Sequence, residues 1–189
     1  ILPKCNVSEK DDIYFRKWRR NRGIQKNFIC VFSRNNSYYK KEYPDSREGT
    51  RNSKFSDLIP TIQMIRELGY DVVRVGRDHG DVFNHKNIND LYFDFDLFDE
   101  RNKLIDLMLI KNCALFLTSN SGINALAYIF QKRILYHNMF PCGMRPHFKN
   151  CTYIMKKYQR YNKVIKYSDI PKKFLLQEDN FTLKKFNFQ

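Results

Sequence analysis

The sequence lacks the patterns that mark secreted, membrane-spanning and zinc-dependent proteins. Its five cysteines are widely spaced and form no Cys-x-x-Cys pair, which argues against a disulfide framework or a structural zinc site. Its apolar runs stay far below the ~20 residues that span a bilayer. The four histidines have no zinc-ligand spacing, and Walker and nucleophile-elbow sequences are absent. These absences favour a globular protein of the reducing cytoplasm.

The chain also lacks an initiator methionine and a secretory signal pattern, so we expect that an amino-terminal part is missing. Its 189 residues have room for one well-packed domain. We divide it into a basic linker or helix at 1–26 that packs on an absent domain, an α/β domain at 27–176, and a polar tail at 177–189. Ile13, Phe15 and Trp18 are the expected anchors of the first helix.

Positive charge is in excess in this sequence. Lysine and arginine number 34 against 20 acidic residues, a formal net charge of +14 that attracts phosphate-bearing substrates, anionic lipid or other polyanions. Peripheral association with the inner face of a membrane is therefore an expectation. The basic run from Arg16 to Arg22, which surrounds Trp18, is either a solvated face or part of a non-catalytic module that binds nucleic acid. Because no nucleic-acid motif is present, nucleic acid is the weaker partner.

Short apolar runs alternate with amphipathic segments of helical period from residue 27 onward. This alternation predicts an α/β fold, a doubly wound Rossmann-like and mostly parallel sheet with helices on both faces. Ser168 is the expected cap of a helix near the carboxyl terminus. The predicted strands are 27–34, 71–76, 91–96, 114–118 and 133–137, with 153–155 and 164–167 as further candidates, and the predicted helices are 56–69, 99–112 and 122–131.

A cluster of small polar residues, Thr118-Ser119-Asn120-Ser121-Gly122, lies between a predicted strand and a predicted helix. Such a turn presents backbone N–H groups and hydroxyls to an anion, and a glycine lets the backbone approach it closely. The same residue types are also common helix caps, so the turn alone does not decide between the two roles. Arg34 follows the first predicted strand, and the carboxyl ends of parallel strands share one edge of the sheet.

Residues 31–38, 50–62, 68–76 and 118–130 resemble, in their order and spacing, a family of bacterial glycosyltransferases of the GT-B type. The resemblance covers roughly residues 27–140 and implies the carboxyl-terminal, nucleotide-sugar-binding half of a two-domain transferase. The turn at 118–122 is also distantly similar to that of heptosyltransferases, and Arg34 to the diphosphate arginine of some fucosyltransferases. The implied reaction moves a sugar from a nucleotide diphosphate to an unknown glycan, lipid-linked or protein acceptor.

The resemblance also implies roles for particular residues. No cofactor or metal is expected, and the general base would come from the preceding domain, so no catalytic residue is assigned. An alternative with a divalent ion would use Asp94 and Asp96, whose Asp-x-Asp spacing suits a hard cation. The residues implied to hold the donor diphosphate are Arg34, Asn36, Ser37, Thr118, Ser119, Asn120, Ser121 and Gly122, with further donor contacts from Arg51, Asn52 and Gly76.

Overall fold

Six strands form one parallel sheet in the described part of the chain. The structure is a computed structural model that describes residues 6–24, 27–35, 51–76, 92–94, 103–146 and 148–175. The spatial order of the strands is β3-β2-β1-β4-β5-β6, and all neighbours are parallel. The strands are β1 (Phe28–Phe32), β2 (Asp71–Arg74), β3 (Phe93–Asp94), β4 (Leu115–Thr118), β5 (Ile134–Met139) and β6 (Cys151–Met155).

Helices cover both faces of this sheet. The helices are α1 (Glu9–Asn21), α2 (Ile59–Glu67), α3 (Lys103–Asn112), α4 (Asn124–Ile129) and α5 (Lys172–Leu175). Strand side chains alternate between the faces, so Phe28 and Cys30 pack with α1, α3 and α4, whereas Ile29 and Val31 pack with α2 and the 3-10 turn before it. The predicted doubly wound, Rossmann-like α/β fold is confirmed.

Helix α1 packs on the core of this chain. Phe15 and Trp18 are 2% and 4% exposed and lie in the same cluster as the buried residues of α3. The Lys111 ammonium contacts the Asp12 carboxylate at 3.1 Å and joins the two helices. Ile13 is 60% exposed and lies on the side of the helix opposite the two buried rings, so it does not anchor α1 to this core, and its packing on an absent domain stays a prediction.

The region after β5 adds strands that the sequence indicates only weakly. The candidate strand at 153–155 is the end of β6, and a separate antiparallel hairpin follows, formed by β7 (Tyr158–Arg160) and β8 (Lys163–Ile165). The prediction that Ser168 caps a helix is wrong. Ser168 lies inside a 3-10 turn, where its hydroxyl donates to the Asp169 carboxylate at 2.8 Å.

Several sequence predictions lie outside the described residues: the start of the helix from 99, most of the loop after Asn35, and the polar tail at 177–189. No described helix combines the length and apolar character that crossing a bilayer requires.

Candidate functional site

The strand order reverses between β1 and β4, which are neighbours in the middle of the sheet. At such a point the connections leave toward opposite faces and open a crevice at the carboxyl ends of the strands, where open α/β sheets bind ligands. Here the Arg34 N–H donates to the Ser119 hydroxyl oxygen at 2.7 Å, and the Ser119 N–H donates to the Phe32 carbonyl at 3.3 Å. The fold thus brings Arg34 and the turn at 118–122 together.

A buried hydrogen-bond network holds this turn in place. The Thr118 hydroxyl donates to the Asn124 side-chain oxygen at 2.8 Å, and the Asn124 amide donates to the Ser119 carbonyl at 2.9 Å. Thr118 and Ser119 are fully buried, and Asn124 is 2% exposed. Buried polar groups of this kind must be paired, so these side chains fix the shape of the turn. Sequence reasoning missed Asn124, although an amide in the first turn of α4 was a visible signal.

The outer part of the turn remains accessible. Asn120 and Ser121 are partly buried, and Gly122 is exposed. The Asn120 amide donates to the Phe140 carbonyl at 3.4 Å, which ties the turn to the end of β5. A Cβ added at Gly122 would meet nothing within 4 Å, so packing within the protein does not require glycine there. The turn is therefore accessible from its outer side at Ser121 and Gly122.

A second segment, residues 51–53, is joined to the end of β1. The Ser53 N–H donates to the Arg34 carbonyl at 2.9 Å. The Ser33 hydroxyl lies 2.9 Å from the Ser53 carbonyl and 2.8 Å from the Ser53 hydroxyl. These bonds place the predicted donor contacts Arg51 and Asn52 at the same edge of the sheet as Arg34, although they are distant in the sequence.

Lys156 is a site residue that sequence reasoning missed. It follows β6, and its backbone N–H donates to the Met139 carbonyl at 3.1 Å. Its ammonium donates to the Asn52 carbonyl at 2.8 Å, so it bridges the end of β6 and the segment at 51–53. Burial lowers the pKa of Lys156 from its ordinary value of 10.5. In the sequence it is one of many lysines, and only the position of β6 at the sheet edge distinguishes it.

His137 reaches across the end of β4 to β1. The register between β5 and β6 shifts after Tyr136, and Asn138 has a φ of 51°, so the strand is irregular where His137 lies. Such irregularities redirect side chains. The His137 Nε2 lies 3.0 Å from the Phe32 carbonyl, which only accepts, so Nε2 carries the proton. Burial lowers the pKa of His137 from 6.5; the bond to Phe32 opposes that shift, and the nearby charge of Lys156 adds to it.

We expect acid to destabilise the protein through His137. The unfolded imidazole gains its proton near pH 6.5, whereas the folded imidazole does so only at lower pH, so the unfolded state binds more protons in between. The contribution of neutral His137 is thus present above pH 6.5 and lost as the pH falls below it. Calorimetry from about pH 8 to about pH 5 should show a smaller fall in Tm for His137→Gln than for the wild type. Equal falls would contradict this assignment.

Gly76 has a packing role that the sequence did not reveal. It follows β2 with a φ of +93°, and a Cβ at this position would lie 2.4 Å from two ring carbons of Phe32. Glycine is therefore needed for the close contact between the ends of β1 and β2. This requirement accounts for Gly76 without a ligand, and its contact with a donor stays a prediction.

Gly76→Ala should destabilise the protein by about 2–4 kcal/mol, because it combines left-handed backbone strain with a steric overlap. Gly69→Ala is the matched control: its φ is +83°, but a Cβ there meets nothing within 4 Å. We expect it to cost only about 1 kcal/mol. Urea denaturation of both variants measures the difference in their free energies of unfolding. Equal losses of stability would show that the ring of Phe32 moves aside without cost.

The predicted diphosphate contacts Asn36 and Ser37 lie outside the described residues, as does Asp96 of the Asp-x-Asp pattern. Within the ranges that the structure does describe, no three histidine, cysteine, aspartate or glutamate residues come together as potential metal ligands.

The chain was compared with known proteins. No protein-family model and no curated protein sequence matches it. Among solved structures, E. coli ADP-heptose lps heptosyltransferase II superimposes with a TM-score of 0.53 at 15% identity, over 82% of this chain. The chain shares its fold with this heptosyltransferase. It spans 45% of the length of heptosyltransferase II, and the resemblance predicted from the sequence is confirmed at the level of the fold.

A second similar structure is the iron-containing dodecameric glycosyltransferase TibC from enterotoxigenic E. coli. It matches with a TM-score of 0.49 at 16% identity, over 70% of this chain and 32% of TibC. TibC in complex with ADP-D-beta-D-heptose matches with a TM-score of 0.42 at 19% identity, over 60% of this chain and 27% of TibC.

Proposed function

We propose that this chain is the donor-binding half of a GT-B glycosyltransferase that transfers a sugar from a nucleotide diphosphate. One observation carries the proposal: Arg34 and the turn at 118–122 meet at the point where the strand order reverses. In an open α/β sheet this is the place for a ligand, and an arginine beside a turn with small polar residues suits phosphate. The fold shared with heptosyltransferase II supports the same function.

Several cations surround the proposed diphosphate position. Arg34 is 9% exposed at the end of β1, and its planar guanidinium is able to donate two parallel hydrogen bonds to a phosphate. Arg51 and Lys156 add charge at the same edge, since Lys156 is bonded to the segment that contains Arg51. Asn120, Ser121 and Gly122 provide accessible N–H and side-chain donors. Thr118 and Ser119 act indirectly in this proposal, because their hydroxyls are buried in the network that shapes the turn.

The chemistry follows from the charge that develops on the leaving group. As the bond between the anomeric carbon and the diphosphate oxygen breaks, its electron pair passes to that oxygen, and the negative charge there grows. Fixed cations and N–H donors stabilise this charge more in the transition state than in the ground state. The acceptor hydroxyl attacks the anomeric carbon and loses its proton to a base on the preceding domain. The acceptor is a glycan, a lipid-linked sugar or a protein.

The burial of Trp18 argues against the alternative function, a basic module that binds nucleic acid. Trp18, the one tryptophan of the chain, lies within the basic run that suggested this alternative. It is 4% exposed, stacks on Phe15 with ring centroids 6.0 Å apart, and is covered by the Arg22 guanidinium at 4.5 Å. A ring in this position cannot stack on a base unless α1 detaches.

Isothermal titration of the chain with ADP, GDP, UDP and CMP tests the proposed function. We expect a nucleoside diphosphate to bind and to raise Tm, because a ligand that binds only the folded state stabilises it. A short single-stranded oligonucleotide is the competing ligand. Binding of the oligonucleotide alone, with a steep salt dependence, would support the nucleic-acid module and refute the transferase.

A further inference from the structure

The outward side of α1 combines exposed apolar residues with a surplus of cations. Ile13 is 60% exposed and Tyr14 is 43% exposed, although a packed domain buries most side chains of these types. The cations of this side are all exposed, and together with Ile13 and Tyr14 they form what we call the basic face of α1: Lys10, Arg16, Lys17 and Arg20.

Helical geometry places these residues together. Phe15 and Trp18 point into the core and fix which side of α1 faces inward. Ile13, Lys17 and Arg20 follow at spacings of four and three residues, which line up along one side of a helix. That side is opposite the two buried rings. The aliphatic side chain of Ile13 therefore lies at the centre of the basic face.

The acidic residues of α1 do not cancel this charge. Glu9 is exposed at the first turn, whereas Asp11 and Asp12 are partly buried toward the core side. Asp11 accepts a hydrogen bond from the Ser8 hydroxyl, and Asp12 is paired with Lys111 at 3.1 Å. Four cations thus stand against one exposed acid on the basic face, in a chain whose formal net charge is +14.

We propose that the basic face of α1 binds an anionic membrane surface. Lysine and arginine near a bilayer are attracted to acidic lipid head groups, and an amphipathic helix lies in the interface with its apolar residues at the acyl boundary. Ile13 is the residue that inserts, with the four cations at the head groups and Tyr14 at the edge of the face, next to the side of the helix that carries Trp18. An aliphatic residue at the centre favours lipid over single-stranded nucleic acid, which is bound through aromatic stacking. The proposal does not depend on the donor site.

Sedimentation with vesicles of phosphatidylcholine and phosphatidylglycerol in equal parts tests this surface, with pure phosphatidylcholine as the neutral comparison. The variant R16Q/K17Q/R20Q should bind the anionic vesicles roughly 100-fold more weakly than the wild type, because each cation near the surface contributes about fivefold. Ile13→Ser should lower binding by about tenfold through the lost apolar insertion. Added salt should weaken binding in every case.

The matched control is K157Q/K163Q/K166Q, which removes three exposed lysines in or next to β7 and β8 and lowers the net charge of +14 by the same amount. We expect it to bind vesicles within a factor of about three of the wild type. Equal losses in both triple variants, or equal binding to neutral vesicles, would overturn the proposal. Binding of a single-stranded oligonucleotide, but not of vesicles, would overturn it too. Circular dichroism confirms folding, and titration with ADP in the same variants reports the donor site separately.

Discussion

Replacing Arg34 by glutamine should weaken the binding of nucleoside diphosphates by about 10- to 100-fold, because hydrogen bonds from a charged donor contribute about 1.5–3 kcal/mol. Its backbone N–H bond to the Ser119 hydroxyl does not involve the side chain and survives the substitution. We therefore expect the loss to appear in affinity. Isothermal titration with the diphosphate that binds the wild type most tightly measures it.

Two variants make this prediction specific. Arg34→Lys keeps the charge but loses the planar fork, so its affinity should fall between those of the wild type and the glutamine variant. Arg133→Gln removes an exposed arginine beside the amino end of β5, at the opposite edge of the sheet, and should leave affinity unchanged. A similar loss for Arg133→Gln would show that net charge alone attracts the ligand, and unchanged affinity for Arg34→Gln would remove Arg34 from the site.

Asn124→Ala should destabilise the protein by about 3 kcal/mol and lower Tm by about 6–12 °C. The substitution removes both bonds to Asn124 and leaves the buried Thr118 hydroxyl and Ser119 carbonyl paired only with each other, at 3.0 Å. Two hydrogen bonds are lost in the core, and a buried polar group that loses a partner costs more than the net contribution of the bond itself. Thermal unfolding measures the loss, and diphosphate affinity should fall with it, because the network determines the shape of the turn.

A double variant separates the lost hydrogen bonds from the lost volume. In Thr118→Val with Asn124→Leu the hydroxyl is removed together with its partner, so the pair should cost less than the sum of the single variants. Asn150→Ala is the exposed comparison: it removes one amide bond to the Gln131 carbonyl at 3.2 Å and should cost less than about 1 kcal/mol. A similarly small cost for Asn124→Ala would contradict a structural role for the network.

Part of the candidate site follows directly from the order of elements in the sequence. Arg34 and the turn at 118–122 each follow a buried strand, and parallel strands place their carboxyl ends at one edge. Their neighbourhood was therefore predictable once the α/β pattern was recognised. The conformation of Gly69 was equally predictable. Its position after an apolar helical segment indicates a left-handed residue that ends the helix, and its φ is +83° just after α2.

Other parts depend on contacts between distant segments. Lys156 and His137 enter the site because β6 pairs with β5 and because β5 is irregular after Tyr136. Neither feature has a sequence signal, since both residues are surrounded by ordinary strand and loop composition. The first helix shows the same dependence: the sequence predicts Ile13, Phe15 and Trp18 alike as anchors, but only Phe15 and Trp18 pack on this core, and Ile13 lies outside.

By itself the sequence determined the α/β class, the strands of the sheet centre and the two segments that meet at its carboxyl edge, because hydrophobic period and turn residues are local properties. Only the tertiary structure decided which polar groups are buried and paired within the fold and which are accessible. Thr118 and Ser119 carry the same hydroxyl chemistry as Ser121, but only Ser121 is outside the buried network. The difference arises because burial and hydrogen-bond pairing are set by contacts between segments far apart in the chain.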